Sequence, residues 1–202
     1  MHVRAPAIVC AARHHGETGV IVRLLTADHG MVAGFVAGGR GRTLRPVLIP
    51  GNVVEAELRS RSDSQMPSAR IELLESRGPW LTEPLPASAI TWVTALAAAT
   101  LPERHAYPAI HEALGGLLDA ICAAQSARGW VMPLLSYEVL VMREMGYGSA
   151  GERPQAEAWP AMLAAFDAVG RQLERYALAE RRNDVMAARA LLRDRLARIA
   201  DD

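Results

Sequence analysis

The chain has 202 residues, half of them apolar, with 22 basic residues balanced by 22 acidic ones and only two cysteines. That length and composition build a real core, as one large domain or two modest ones, so disorder is not the default reading. Cys10 and Cys122 lie too far apart for a disulfide framework or a paired-cysteine metal motif, and read as small buried residues in a reducing compartment. No apolar run approaches a bilayer-spanning length, and residues 7–12 are too short for the core of a signal peptide, so a soluble, cytoplasmic protein is expected.

Every basic residue is arginine. The simplest source of that bias is a GC-rich genome; the bidentate fit of guanidinium to phosphate is a secondary reading. Residues 1–80 hold ten Arg against seven Asp and Glu, and residues 81–202 hold twelve against fifteen. A local basic excess in the first half is a modest argument for nucleic acid, since affinity follows the phosphates met by a patch and not the charge of the whole chain.

In chain order, residues 8–12 read as a first strand. Two alternating apolar runs, 20–25 and 31–36, flank the turn Asp28-His29-Gly30 and read as a hairpin in which glycine supplies a positive φ. Residues 53–59 alternate cleanly, with Val54, Ala56 and Leu58 on one face and Glu55, Glu57 and Arg59 on the other; residues 70–73 alternate too. Five short strands within eighty residues suggest a small closed barrel. The OB-fold is the leading candidate, and an SH3-like barrel is the alternative that strand counting does not separate.

An OB-fold binds nucleic acid on its central strands and through the loops joining strands one to two and four to five. Those loops are here residues 13–17 and 60–69, the first carrying Arg13 and His14, the second bordered by Arg59, Arg61 and Arg70. The link Gly38-Gly39-Arg40-Gly41-Arg42, followed by Arg45, lets backbone amides and guanidinium groups approach a phosphate backbone; as a Gly-Arg repeat it also reads as a merely solvated loop. Arg23, in a strand, either faces solvent or pairs with Glu17. The DNA-contact candidates are thus Arg13, His14, Arg23, Arg40, Arg42, Arg45, Arg59, Arg61 and Arg70. His14, His15 and His29 do not suggest a metal, because adjacent histidines point to opposite sides of an extended chain. Glu17 reads as ordering its loop and not as an acid-base catalyst. Aromatics are scarce: if Phe35 faces the core, binding is electrostatic and indifferent to sequence.

Pro79, Pro84 and Pro86 mark a boundary, placing a first domain at residues 1–78 and a helical domain at 79–202. Helical periodicity predicts helices at 89–101, from Pro108 with a stripe of Ile110, Leu114, Leu117, Leu118 and Ile121, at 133–145 closed by Gly146, at 158–176, and at 185–199 capped by Asn183 or Asp184. The fold class is therefore α+β, a five-stranded OB-fold β-barrel followed by an α-helical bundle. Nothing in the bundle reads as catalytic. Asp119, Glu138 and Glu144 read as residues of solvated helix faces, and His105 and His111 as surface residues; no cofactor or metal is called for.

The order Arg13-x-x-Gly16-Glu17-Thr18, then Leu25-Thr26 and Gly30, then Gly38-Gly39-Arg40-Gly41-Arg42 and Leu48-Ile49-Pro50-Gly51, resembles the start of the RecO family of bacterial recombination-mediator and DNA-repair proteins. Leu101-Pro102-Glu103-Arg104, Tyr137-Glu138, Leu140 and Gly146-Tyr147-Gly148 continue the family's order. The resemblance implies an OB-fold that binds single- and double-stranded DNA and a non-enzymatic protein, nucleoid-associated in the cytoplasm, that anneals complementary strands. It also implies action with RecR in loading RecA, indirectly, onto DNA covered by single-strand-binding protein (SSB), whose C-terminal tail docks on the helical half. Arg128 and Arg143, near the third predicted helix, are the candidates for that tail. Many relatives carry a cysteine-bearing, sometimes zinc-binding segment after the Gly-Tyr; here residues 148–154 pass almost directly to the next helix, so zinc is not expected. The competing reading is a protein-interaction adaptor for RecR and the SSB tail with little intrinsic DNA affinity.

Overall fold

The computed structural model describes residues 2–62, 65–147, 155–179 and 184–201. By internal contacts the chain forms two units, residues 1–82 with 101–111 and residues 83–100 with 112–202.

The first unit is built on β1 (His2–His15), β2 (Gly19–Thr26), β3 (Gly30–Val36), β4 (Val53–Arg59) and β5 (Ser68–Glu75). They close into a barrel in the order β1-β2-β3-β5-β4. All pairings are antiparallel except β3 with β5, which meet at Phe35 and Ser68. This is the five-stranded Greek-key arrangement of an OB-fold. The period-2 reading of residues 53–59 holds: Val54, Ala56 and Leu58 are fully buried, while Glu55 and Glu57 are half-buried and Arg59 exposed. With Val3, Ala7, Val9, Val22, Leu24 and Val32 they fill the barrel.

β1 is far longer than the predicted 8–12. Its first half pairs with β4, His2 opposite Arg59 to Ile8 opposite Val53, and its second half pairs with β2 from Ala7 to His15. One strand therefore serves two neighbours in turn. Pro6 falls where β1 has a neighbour on one side only, which is where a missing N–H is tolerated. The hairpin turn forms as expected: Gly30 has φ 66°, and Thr26 Oγ1 accepts from His29 N and donates to Gly30 O, both at 3.1 Å. A side chain on Gly30 would also meet the His105 carbonyl.

The second unit carries α1 (Pro84–Thr100), most of α2 (Pro108–Ala123), α3 (Val131–Glu144), α4 (Trp159–Gln172) and α5 (Asp184–Ala197). α1 begins five residues earlier than predicted, because Pro84 and Pro86 occupy a first turn whose N–H groups have no helical partner in any case. Gly146, at φ 87°, ends α3 with its N–H on Arg143 O while Tyr147 N reaches Met142 O, the left-handed C-terminal closure expected of it. α4 runs on through a π-helical turn at Leu173–Ala177. Asn183 and the 148–154 segment lie outside the described residues, as does Asp202.

Two sequence readings need correction. Glu138 is not on a solvated face; it is fully buried beneath Trp92 and Arg189. His111 is half-buried, and that burial holds its imidazole below the ordinary value against the pull of Asp28. Among the described residues no helix is long and apolar enough to cross a membrane.

Candidate nucleic-acid interface

The end of the barrel where β1 turns into β2 is built by a bulge. Pairing runs Val9 opposite Leu24 and resumes at Ala11 opposite Arg23, so Cys10 is the inserted residue. Before the bulge Val3, Ala5, Ala7 and Val9 pack on the core; after it Ala12 does. The alternation has shifted by one, which is how a bulge re-aims a strand's side chains. His14 consequently falls on the inner side and lines a groove of about 480 Å³ at the barrel end, with Arg40 and Arg45. Arg13 and His15 fall on the outer face. The two histidines therefore diverge, and among the described residues no three His, Cys, Asp or Glu side chains gather as a metal set.

The Gly-rich loop is pinned to the β1–β2 loop. Arg40 N donates to Thr18 O at 3.1 Å and Arg40 Nη1 to Glu17 O at 2.8 Å, so two of the predicted binding loops form one surface. Arg42 follows on the same loop, and Arg45 N donates to Gly41 O at 2.9 Å. Arg13, His14, Arg40, Arg42 and Arg45 are all exposed. Residues 13–18 and 37–50 contain one carboxylate, Glu17, against those four arginines.

Phe35 does not face the core. It is half-buried on the outer face, with the His15 ring edge-on at 5.9 Å. Arg13, Ile21 and Phe35 stand in one cross-strand row. On its other side Phe35 N donates to Pro67 O at 2.8 Å, next to the start of β5; Arg61, further back in the β4–β5 connection, is exposed. An aromatic ring thus sits on the outer face beside the end of β1, a feature sequence reasoning left conditional on which way β3 faced.

The remaining candidates are placed differently. Arg23 neither faces solvent nor pairs with Glu17: its Nη2 donates to Leu101 O at 3.3 Å and Nη1 lies 3.9 Å from Glu103. The segment 101–105 lies over β2 and β3 there, Arg104 N donating to Met31 O at 2.9 Å. Arg59 is bound to Glu57, which also accepts from His2 at 3.1 Å; the Arg59 guanidinium, then His2, holds the Glu57 carboxyl below its usual range. Arg4 donates to Glu55 at 2.8 Å, and Arg70 stands beside Glu57 and Glu72. The outer face of β1, β4 and β5 is thus a balanced ladder of charges. Arg128, exposed, lies 5.1 Å over the Trp159 ring before α3, and Arg143 pairs with Glu144 at the far end of α3; the 14 residues of α3 are about 20 Å long at about 1.5 Å per residue.

The family model "Recombination protein O N terminal" matches residues 1–77, and "Recombination protein O C terminal" matches residues 83–153. The chain belongs to the RecO family. The DNA repair protein RecO of Phenylobacterium zucineum is 38% identical over 149 residues, covering 73% of this chain and 60% of that protein. Those of Rhodospirillum centenum and Rhodospirillum rubrum are each 38% identical, over 143 and 146 residues, covering 70% of this chain and 56% and 57% of theirs. The chain thus spans less than two thirds of the length of these curated relatives. Several RecO-like positions act here as scaffold: Thr26 and Gly30 build the turn on which 101–105 rests, Glu17 and Thr18 receive Arg40, and Glu138 anchors the helices.

Proposed function

We propose that this chain is a DNA-binding recombination mediator in which the arginine end of the barrel holds nucleic acid and the helical unit holds protein partners. The carrying observation is two segments joined by the Arg40 bonds to Glu17 and Thr18, Arg13 on one and Arg40, Arg42 and Arg45 on the other, which together hold a single carboxylate. Such a set of arginines neutralises phosphates, releases counterions and does so without regard to sequence. Lowering the repulsion between two strands lets complementary bases pair, which is annealing. On this reading single- and double-stranded DNA both bind, RecR and the SSB C-terminal tail are partners, and RecA is loaded onto SSB-covered strands through them. The role is not catalytic and uses no cofactor. Arg128 precedes α3 and Arg143 stands at its end, and an extended peptide of about six residues spans the length of that helix.

The test is fluorescence anisotropy of a labelled single-stranded oligonucleotide across a salt series. Four phosphate contacts predict a slope of log affinity against log salt near about −3. The balanced charges on the outer face of β1, β4 and β5 favour a second reading, an adaptor for RecR and the SSB tail. Binding of an SSB tail peptide without salt-steep DNA binding would establish that reading and displace the first.

A further inference from the structure

The groove at the barrel end has a chemistry that phosphate binding alone does not use. Its rim is cationic: Arg40 and Arg45 are exposed, and His14 stands on the β1 side. Beneath them the lining turns apolar. Val20 and Leu48 are buried at the bottom, and Ala12, Ile49 and Pro50 are half-buried at the walls. The volume of about 480 Å³ falls within the roughly 300–1,000 Å³ of small-molecule sites, which pair apolar walls with a few placed polar groups. The bulge at Cys10 is what opens it, since an unbroken β1 would turn Arg13 and His15 inward in place of Ala12 and His14.

We propose that this groove seats one unstacked nucleotide of a bound single strand, with its phosphate on Arg40 and Arg45 and its base against the apolar wall of Ala12, Leu48 and Ile49. The assignment rests on the DNA-binding reading above and adds to it a reason for preferring single strands. A base enters the groove only when it is out of its stack, and in a duplex it must first be unpaired. A bulky cation with an apolar tail would not satisfy the rim, and an apolar peptide would leave both guanidinium groups without an anion. A nucleotide meets both demands. Phe35, on the outer face, offers a separate ring for a neighbouring base.

The experiment compares a labelled thymidine 12-mer with an abasic 12-mer of the same length and charge, at fixed low salt, on the full chain. A background of Phe35→Ala removes the other stacking surface. In that background the thymidine oligomer is expected to bind at least about fivefold tighter than the abasic one. Ala12→Leu and, separately, Ile49→Met fill the groove without altering charge or adding an aromatic ring and are expected to bring the ratio to within about twofold; two variants on different segments guard against misfolding of either, checked by circular dichroism. Binding that does not distinguish the oligomers, or a preference that survives both groove variants, overturns the nucleotide seat and leaves the DNA-binding reading standing. Absence of binding to either oligomer overturns the DNA-binding reading and the seat together.

Discussion

Arginine does opposite work in the two units. At the barrel end Arg13, Arg40, Arg42 and Arg45 are exposed, and the Arg40 side chain donates to the Glu17 carbonyl, with no carboxylate paired to it among the described residues. In the helical unit Arg189 on α5 is about 95% buried and fully compensated. Its Nε and Nη2 donate to the two Glu138 oxygens at 2.9 and 2.8 Å, Nη2 also reaches Phe166 O at 2.7 Å, and the guanidinium lies 3.7 Å from the Phe166 ring centre. Trp92 Nε1 donates to the same carboxylate at 2.7 Å. One side-chain type therefore serves as an available charge where carboxylates are withheld and as an internal strut where one is supplied. Its count says little about either role; the partner decides.

The largest expected effect breaks the strut. Glu138→Ala leaves a buried guanidinium without its counter-ion and should cost about 3–5 kcal/mol of stability, read as a fall in the urea midpoint. An unchanged midpoint would mean that Arg189 escapes to solvent at little cost.

Next come the available charges. Arg40→Ala with Arg42→Ala should weaken DNA binding uniformly across sequences and flatten the single-strand salt slope by about 1.4, two phosphate contacts at about 0.7 each, with the urea midpoint unmoved. The contrast sharpens with Arg59→Ala and Arg70→Ala together: on a ladder already balanced by Glu55, Glu57 and Glu72, the slope should change by less than the about 0.7 of one phosphate contact. A larger change would move the interface onto the β4–β5 face.

The smallest effect lies between these extremes. Arg193 donates to both Asp167 oxygens, at 2.6 and 2.8 Å, and that bond lowers the carboxyl from its ordinary value of 3.8. A depressed folded value means that the pair stabilises the fold above the unfolded value and that this contribution fades as pH falls through the lowered one. With both partners partly exposed it amounts to no more than about 1 kcal/mol. Arg193→Ala should lower the urea midpoint slightly at neutral pH, and the gap should close well below the unfolded carboxyl value of about 3.9.

Much of this architecture was legible from residue order. β4 alternates without interruption and its bounds emerged unchanged; the apolar stripe of α2 is buried at every predicted position; Gly30 takes the positive φ assigned to it, and Gly146 closes its helix. The site was legible only in part. His14, Arg40 and Arg45 do line one groove, but Arg13 falls on the other face of β1, and Arg23, in an equally alternating strand, is taken up by Leu101 and Glu103, residues nearly eighty positions away. Phe35 could not be oriented because β3, with Met31, Val32 and Val36 all buried, has no clean polar face to declare its register. The groove left no local signal, since it depends on one inserted residue in β1.

What the sequence determined by itself is what nearest neighbours along the chain dictate: the strand and helix periods, the turns where glycine is required, and the charge available in each segment. The tertiary structure decided everything that depends on which segments meet. It set the length of β1, which pairs in succession with two strands, and the turning of His14 inward by the bulge. It also set the burial of Glu138, whose polarity reads as surface until Arg189 arrives across Gly170, a position where a side chain would stand 2.2 Å from that guanidinium. The physical reason is the same each time: burying a charge or aiming a side chain is settled by its compensating partner, and that partner is brought by the fold.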